Sequence, residues 1–368
     1  MKNTSYSQLK AMLAMTKASF RAMLRSPSSI VFTIAFPLIF IIVFGFIGGG
    51  GMRVDVITHP EIHLQNPIFE ALANNPAVNI VMHKPLNEAM DDLSKGRIDG
   101  ILNIKVITGA NGEPKYIADV KTSSASADRG NFLKMFIGQV IDKVNLQEDP
   151  LTNPVAELRS SEIQGRKFKM IDFILPGQLG FSLLSTGVFG TAFVFLSLRN
   201  TLVIKRFFAT PIHRMFIILG EALSRIIFAL LGALVIIIIG YLVFDFTLIK
   251  GVWTVLQMLF LSALGLIVFM GFGFTISGIA KTESTVPPLA NIVTLPQFIL
   301  SGTFFSVEVF PEWLQYISKI MPLTYLNNAL RKVAFEGASL VGVGVEILIL
   351  LAWGIVIYIA AAKVFRWE

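Results

Sequence analysis

Long stretches without a single charged residue dominate this sequence. Five of them run Ser26–Met52, Phe173–Leu198, Ile226–Phe244, Gly251–Ala280 and Ser284–Val307, and a sixth, Gly337–Ala362, holds only Glu346. A helix rises 1.5 Å per residue, so ~20 apolar residues cross a hydrocarbon core of ~30 Å. The chain is 54% hydrophobic and 15% charged, against roughly 45–50% and about 25% for a soluble domain. One aqueous core cannot hide that surface. The pattern predicts an α-helical polytopic membrane protein with six transmembrane helices per chain. Pro287, Pro288 and Pro296 lie in the fifth run and predict a kinked or short helix there.

Between the first and second runs lie about 120 residues of different character. Val54–Thr58, Val78–Met82, Ile98–Ile104 and Tyr116–Val120 read as strands, and Pro67–Asn74, Asn87–Lys95 and Asp128–Val144 as helices. The plan is therefore residues 1–28 as a cytoplasmic amphipathic interfacial helix and 29–50 as the first span, a retained signal anchor. Residues 51–170 form an extracytoplasmic α/β domain inserted between helices 1 and 2. Residues 171–368 carry spans two to six, with a cytoplasmic loop at 199–214 and an extracytoplasmic re-entrant segment at 304–336.

Orientation follows the basic residues. Lys2, Lys10, Lys17, Arg21 and Arg25 precede span one, and Arg199, Lys205, Arg206 and Arg214 follow span two. Lys281 follows span four, and Lys363 and Arg366 follow span six. All fall on one side of a six-span plan, which places both termini in the cytoplasm. Lys319, Arg331 and Lys332 lie on the other side, partly offset by Glu308, Glu312 and Glu336. The net charge of +7 thus follows the membrane pattern and gives no reason to expect nucleic acid.

Three segments are candidates for mechanism. Ser5–Arg25 places Lys10, Lys17, Arg21 and Arg25 on one helical face and Met12, Thr16, Phe20 and Met23 on another. It reads as a membrane-surface anchor or as a docking helix. Arg199–Arg214 mixes cations with Phe207 and Phe208 around Thr210-Pro211, and reads as an ordinary basic loop or as a short docking helix for a cytosolic partner. Phe304–Arg331 contains a short helix opened by Pro311 and ended by Pro322, with Trp313, Leu314, Tyr316 and Ile317 on its apolar side. It reads as an aromatic belt or as a re-entrant cap. Glu346 reads as an outer-interface residue, and Glu221 with Arg225 as a local i,i+4 ion pair.

Catalytic signatures are missing. With no cysteine there is no thiolate chemistry. Gly273–Thr282 lacks the P-loop spacing, and neither H-E-x-x-H nor G-x-S-x-G occurs. His59 and His63 flank Pro60 and read as loop residues, so no metal or cofactor is expected. A membrane-anchored receptor using residues 53–169 as its binding module is the alternative to a transporter.

The segment SGTFFSVEVFPEWLQYISKIMPLTYLNNALRKV, Ser301–Val333, resembles the type-two ABC transporter permeases, the bacterial drug- and daunorubicin-resistance exporters. Gly302, Phe304, Phe305, Pro311, Trp313, Leu314, Pro322, Leu323, Thr324, Tyr325 and Arg331 carry the likeness, although Ser306 stands where the family usually has Pro. Arg199, Thr210-Pro211 and Gly220 resemble the family's coupling segment, with Asn200-Thr201-Leu202 and Glu221 departing from it. The resemblance implies a half-transporter that is not itself an enzyme. Its partners would be a cytosolic ABC ATPase that binds ATP and Mg, a second permease chain (identical or related), the bilayer and a periplasmic adaptor. Lys17, Arg21, Arg199, Arg206, Phe207, Phe208, Thr210 and Pro211 would dock the ATPase. Phe304, Phe305, Pro311, Trp313, Pro322 and Tyr325 would form the outer gate. Spans two and five would line the path of a hydrophobic or amphipathic substrate leaving across the bacterial inner membrane.

Overall fold

The structure is a computed structural model describing residues 7–47, 54–75, 77–81, 85–108, 114–148, 155–165, 169–200 and 212–364. It forms two units. One joins Met1–Phe46 with Met170–Glu368, and the other is Ile47–Lys169. Arg206, Phe207, Phe208, Thr210, Pro211 and Arg366 lie outside the described residues.

The first unit opens with α1, Gln8–Leu24, whose N-cap Ser7 accepts from the Lys10 N–H. α2, Pro27–Ile30, runs through a π turn at Val31–Ala35 into α3, Phe36–Ile47.

The second unit is built on a five-stranded sheet. Its elements are β1 (Val54–Thr58), α4 (Pro67–Ala73), β2 (Val78–Val81), α5 (Leu86–Ser94), β3 (Gly100–Thr108), β4 (Pro114–Ser123), α6 (Ala127–Glu148) and β5 (Ala156–Ile163). The strand order is β2-β1-β3-β4-β5, parallel throughout except for the β3–β4 hairpin. Side chains alternate across β3. Leu102 and Ile104 pack with Phe69 of α4 and Leu133 and Ile137 of α6, while Ile101 joins Ala89 and Leu93 of α5 on the opposite face. The edge strand β5 has no counterpart among the sequence-predicted strands. Its AELRSSEI sequence is polar on both faces, which hides the period-two signal.

The first unit resumes with α7 (Met170–Ser185), a π turn at Thr186–Gly190, and α8 (Thr191–Asn200). Then come α9 (Arg214–Phe244), α10 (Val252–Ile279), α11 (Val286–Leu300), α12 (Glu312–Ser318), α13 (Pro322–Arg331), a π turn at Lys332–Glu336 and α14 (Gly344–Val364).

Among the described residues, four helical stretches are long and apolar enough to cross a membrane: Met170–Asn200, Met215–Phe244, Val252–Ile279 and Gly344–Val364. The other two expected spans are shorter. The apolar helix of the first run covers Val31–Val43. The fifth run yields only the 15 residues of α11, or ~22 Å at 1.5 Å each. Sequence explains the shortness. Pro287 and Pro288 are tolerated only in a first turn. After Ser301 the chain turns through Gly302 at φ +69, a conformation open to glycine and costly for other residues.

Candidate gate and docking surface

The second and fourth spans meet through glycines. A Cβ on Gly187 would lie 2.6 Å from Phe269 Cβ, and one on Gly273 would lie 2.7 Å from the Gly187 carbonyl oxygen. Small residues let backbones approach where lipid supplies no hydrophobic drive. Arg199 donates to the Ala280 carbonyl at the far end of the same pair.

The segment after α11 is bolted to this core by polar side chains. Asn327 donates from Nδ2 to the Ser301 carbonyl at 3.0 Å and approaches Thr303 Oγ1 at 3.4 Å. Arg331 donates to the Phe173 carbonyl from Nε at 3.2 Å and from Nη2 at 3.1 Å, and also donates to Gly302 O. Its guanidinium lies 3.7 Å from the Phe173 ring centroid. The two carbonyls and the ring take up the guanidinium's planar fork and its face together. Gly180 faces this bolt so closely that a Cβ there would overlap Asn327 Oδ1.

Beneath the bolted turn lies a run of phenylalanines. Phe36 and Phe40 of α3 are 4.7 Å apart, and Phe36 is 5.3 Å from Phe181 of α7. Phe181 meets Phe298 of α11 at 4.2 Å, Phe298 meets Phe304 at 4.8 Å, and Phe304 closes the ring on Phe40 at 5.3 Å. Four separate segments thus converge on one aromatic cluster. The π turn that leads into α3 is tied to α7 and to the π turn after it by polar contacts: Ser182 Oγ donates to the Thr33 carbonyl at 2.8 Å, and the Thr33 and Thr186 hydroxyls are 3.2 Å apart.

Phe304 belongs to this cluster, while Phe305 and Trp313 are exposed. Pro311 caps α12, and Tyr325 OH donates to the Lys319 carbonyl at 2.6 Å. α12 ends at Ser318, and Pro322, expected to terminate it, is the first residue of α13. Glu346 is buried at 7% exposure and receives Lys332 Nζ at 2.6 Å. It lies in the first turn of α14, near the end of that apolar helix, and its charge is met by the lysine. Glu221 and Arg225 pair at 3.0 Å, both buried.

α1 lies against the start of α9. Thr16 Oγ1 donates to the Gly220 carbonyl at 3.0 Å, Phe20 meets Phe228 edge to face at 6.4 Å, and Gln8 Oε1 accepts from the His213 N–H at 2.9 Å. Met12, Thr16 and Phe20 occupy the packed side, and Lys10, Lys17, Arg21 and Arg25 are exposed. Gly220, part of the expected coupling segment, lies inside α9 under this helix. Among the described residues no group of acidic or imidazole side chains could hold a metal ion.

The sequence matches the family described as ABC-2 family transporter protein over residues 27–363. The chain belongs to that family. The permease is 21% identical over 365 residues to ABC transporter G family member 20 of Dictyostelium discoideum, covering 95% of this chain and 50% of that one. It is 20% identical over 343 residues to the probable multidrug ABC transporter permease YbhS of Escherichia coli K12, covering 90% of each. A third relative, the probable multidrug permease YbhR of the same strain, is 26% identical over 140 residues, 36% of this chain and 35% of its own. The permease thus spans half the length of the Dictyostelium relative and nine-tenths of YbhS.

The sequence pointed to Arg331 only through the 301–333 resemblance. It gave no sign of Asn327, of Phe36, Phe40, Phe181 and Phe298 as one cluster, or of the Thr16–Gly220 contact. The contacts between helices, such as Phe36 with Phe181, Phe181 with Phe298 and Thr16 with Gly220, join residues far apart in the chain, and neither periodicity nor spacing encodes them.

Proposed function

We propose that this chain is the membrane half of an ATP-driven exporter, moving a hydrophobic or amphipathic substrate out of the cytoplasm or the inner leaflet. The phenylalanine cluster joining α3, α7, α11 and the 301–305 turn is the observation that carries this reading. It places an apolar, aromatic surface where the first, second and fifth helices converge. A substrate without strong polar demands slides past such rings at little desolvation cost. The bolt above it would act as the outer gate. α3 and α11 would complete the six spans, with both termini in the cytoplasm of a bacterial inner membrane and residues 51–170 outside.

Power comes from a separate ATPase subunit, as expected for permeases of this family, which work with such a subunit and dimerise. The exposed Lys17 and Arg21 of α1, together with Arg199 and residues 206–211, would receive it. A second permease chain would cover α11, whose outer face exposes Pro288, Asn291, Ile292, Leu295 and Ile299. That stripe recurs at helical spacing, and Asn291 on it favours a protein neighbour over lipid. A periplasmic adaptor remains a proposed further partner.

Reconstitution in proteoliposomes with the ATPase tests the reading. Phe298→Ala and Phe304→Ala are expected to lower export of an amphipathic dye at least tenfold while assembly with the ATPase persists. Undiminished export in both would refute the aromatic path. Failure of Phe207→Asp and Phe208→Asp to uncouple ATP hydrolysis would refute the docking role.

A further inference from the structure

The second unit carries a groove that transport through the helices does not use. α5 covers only part of one sheet face, over Ile57 and Ile101. Beyond it the same face forms a groove. Its floor is set by register: Asn103 pairs with Asp119, and Asp119 with Arg159, while Lys121 pairs with Ile101 and Ser161. Residues facing each other across these strands share one side of the sheet. Lys105 sits one step further along β3 on the same side, 3.9 Å from Asp119. His59 and Glu61, in the segment leaving β1, and Leu86 at the start of α5 form the wall.

The position follows from topology. α4, which follows β1, lies on one face and α5, which follows β2, lies on the other, so the connections diverge between β1 and β3. In open α/β sheets such a divergence leaves a crevice beyond the carboxyl ends of the strands, where ligands bind. The groove opens there, at the carboxyl end of β1.

Two observations point to a ligand and its charge. Asn103 lines the groove at 9% exposure, and its Oδ1 is buried without a hydrogen-bond partner. Orphaned buried amides are rare because they cost free energy. Half a turn of the amide exchanges its donor and acceptor, so the group can meet either kind of ligand atom. Around it stand three cations, Lys105, Lys121 and Arg159, against two carboxylates, Glu61 and Asp119. Lys105 faces Asp119, and Arg159 faces Glu157 at 3.4 Å. Among the described residues Lys121 has no ion-pair partner, and it is exposed.

We infer that this groove binds a small anion, a phosphate or carboxylate that also carries a hydroxyl or amine. Lys121 and Arg159 hold its charge, and Asn103 and Asp119 receive its donor. The inference goes beyond the export reading and does not depend on it.

Titration calorimetry of the full-length permease in a neutral detergent, with glycerol 3-phosphate and with inorganic phosphate, tests it. Saturable binding at about 1 mM or below is expected, tighter for glycerol 3-phosphate and weakened by salt. Lys121→Ala and Arg159→Ala, both at exposed positions, are expected to weaken it about tenfold each. Asn103→Asp is expected to weaken it further by charge repulsion. Nanodiscs of phosphatidylcholine and phosphatidylglycerol separate the sources: a headgroup ligand suppresses the titration only in phosphatidylglycerol, a free solute ligand in neither. No saturable binding, or binding untouched by Lys121→Ala and Arg159→Ala, overturns the site.

Discussion

Replacing Arg331 by leucine tests the bolt above the phenylalanine cluster. The substitution keeps side-chain bulk and removes the fork that holds the Gly302 and Phe173 carbonyls. A hydrogen bond from a charged donor is worth about 1.5–3 kcal/mol net, and a desolvated cation over an aromatic ring contributes about 2. Against these stands the cost of holding the guanidinium itself out of water, several kcal/mol in a buried setting. Leucine regains that cost but leaves carbonyl oxygens in apolar surroundings without their donor. The balance is a loss of about 3 kcal/mol for the turn. Amide hydrogen exchange of full-length protein in detergent reads this directly. At 1.4 kcal/mol per tenfold, exchange of the Ser301–Phe304 amides should quicken about 150-fold, while amides at the centre of α10 hold their protection. Arg331→Lys keeps the charge but donates from a point, so an intermediate value is expected. Exchange within about threefold of wild type for Arg331→Leu, in a folded protein, refutes the bolt.

Gly180→Val should disturb the same turn from the opposite side, because its side chain would overlap Asn327 Oδ1 and meet Leu323 Cδ1 at 2.8 Å. A loss of about 1–3 kcal/mol is expected, read as a lower thermal midpoint, and an unchanged midpoint argues against this packing. A Cβ built on Gly220 lies 3.5 Å from Met15 Cβ, within disulfide reach. Met15→Cys with Gly220→Cys, in a chain that has no cysteine of its own, should therefore cross-link α1 to α9 on oxidation, seen as a mobility shift reversed by reductant. In the second unit, burial pushes the Asp99 carboxyl up from 3.8, opposed by the Asp55 N–H and by Arg129 at 3.6 Å. Its folded form binds the proton more tightly than its unfolded form, so its contribution is fullest below 3.8 and is lost as pH rises through the raised value. Exchange-measured stability of β1 and β3 should fall over that window, and Asp99→Asn should flatten the slope. A slope the variant leaves unchanged contradicts the assignment.

What the sequence made legible is what repeats along the chain. Uncharged runs located the long helices, because a membrane span is a local property of some twenty residues. The prolines at 287, 288 and 296 forewarned of a short fifth helix, and α11 stops at Leu300. The amphipathic face of α1 was visible, and its Met12–Thr16–Phe20 side is the one packed on α9. The candidate site was much less legible. Phe181 and Phe298 are 117 positions apart by their numbers and touch at 4.2 Å, a pairing that only helix packing creates. The Lys332 partner of Glu346 was not legible, because hydropathy cannot pair residues fourteen positions apart across a π turn and a loop. β5 went unseen because an edge strand with few buried side chains carries little period-two pattern.

The distribution of polar contacts differs from helix to helix. In their most apolar 18-residue stretches, Met170–Asn200 and Val252–Ile279 have 67% and 56% of residues buried, against 39% for Met215–Phe244 and 22% for Gly344–Val364. The two central spans approach each other at Gly187 and Gly273, where a Cβ would clash. Around them, α13 is held by Arg331 and Asn327, α14 by Glu346 to Lys332 and by Trp353 Nε1 to the Ile320 carbonyl, and α1 by Thr16. α11 differs. Among its described side chains the hydrogen bond present is internal, Gln297 to the Val293 carbonyl at 3.3 Å. Its tie to α7 is the contact of Phe298 with Phe181. Displacing α11 breaks no interhelical hydrogen bond made by its own described side chains, but it exposes Val286 and Ala290, fully buried in the helical core, and parts Phe298 from Phe181 and Phe304. α11 is thus held by apolar packing, through Val286, Ala290 and the phenylalanine rings, where α13 and α14 are held by charged and polar side chains as well.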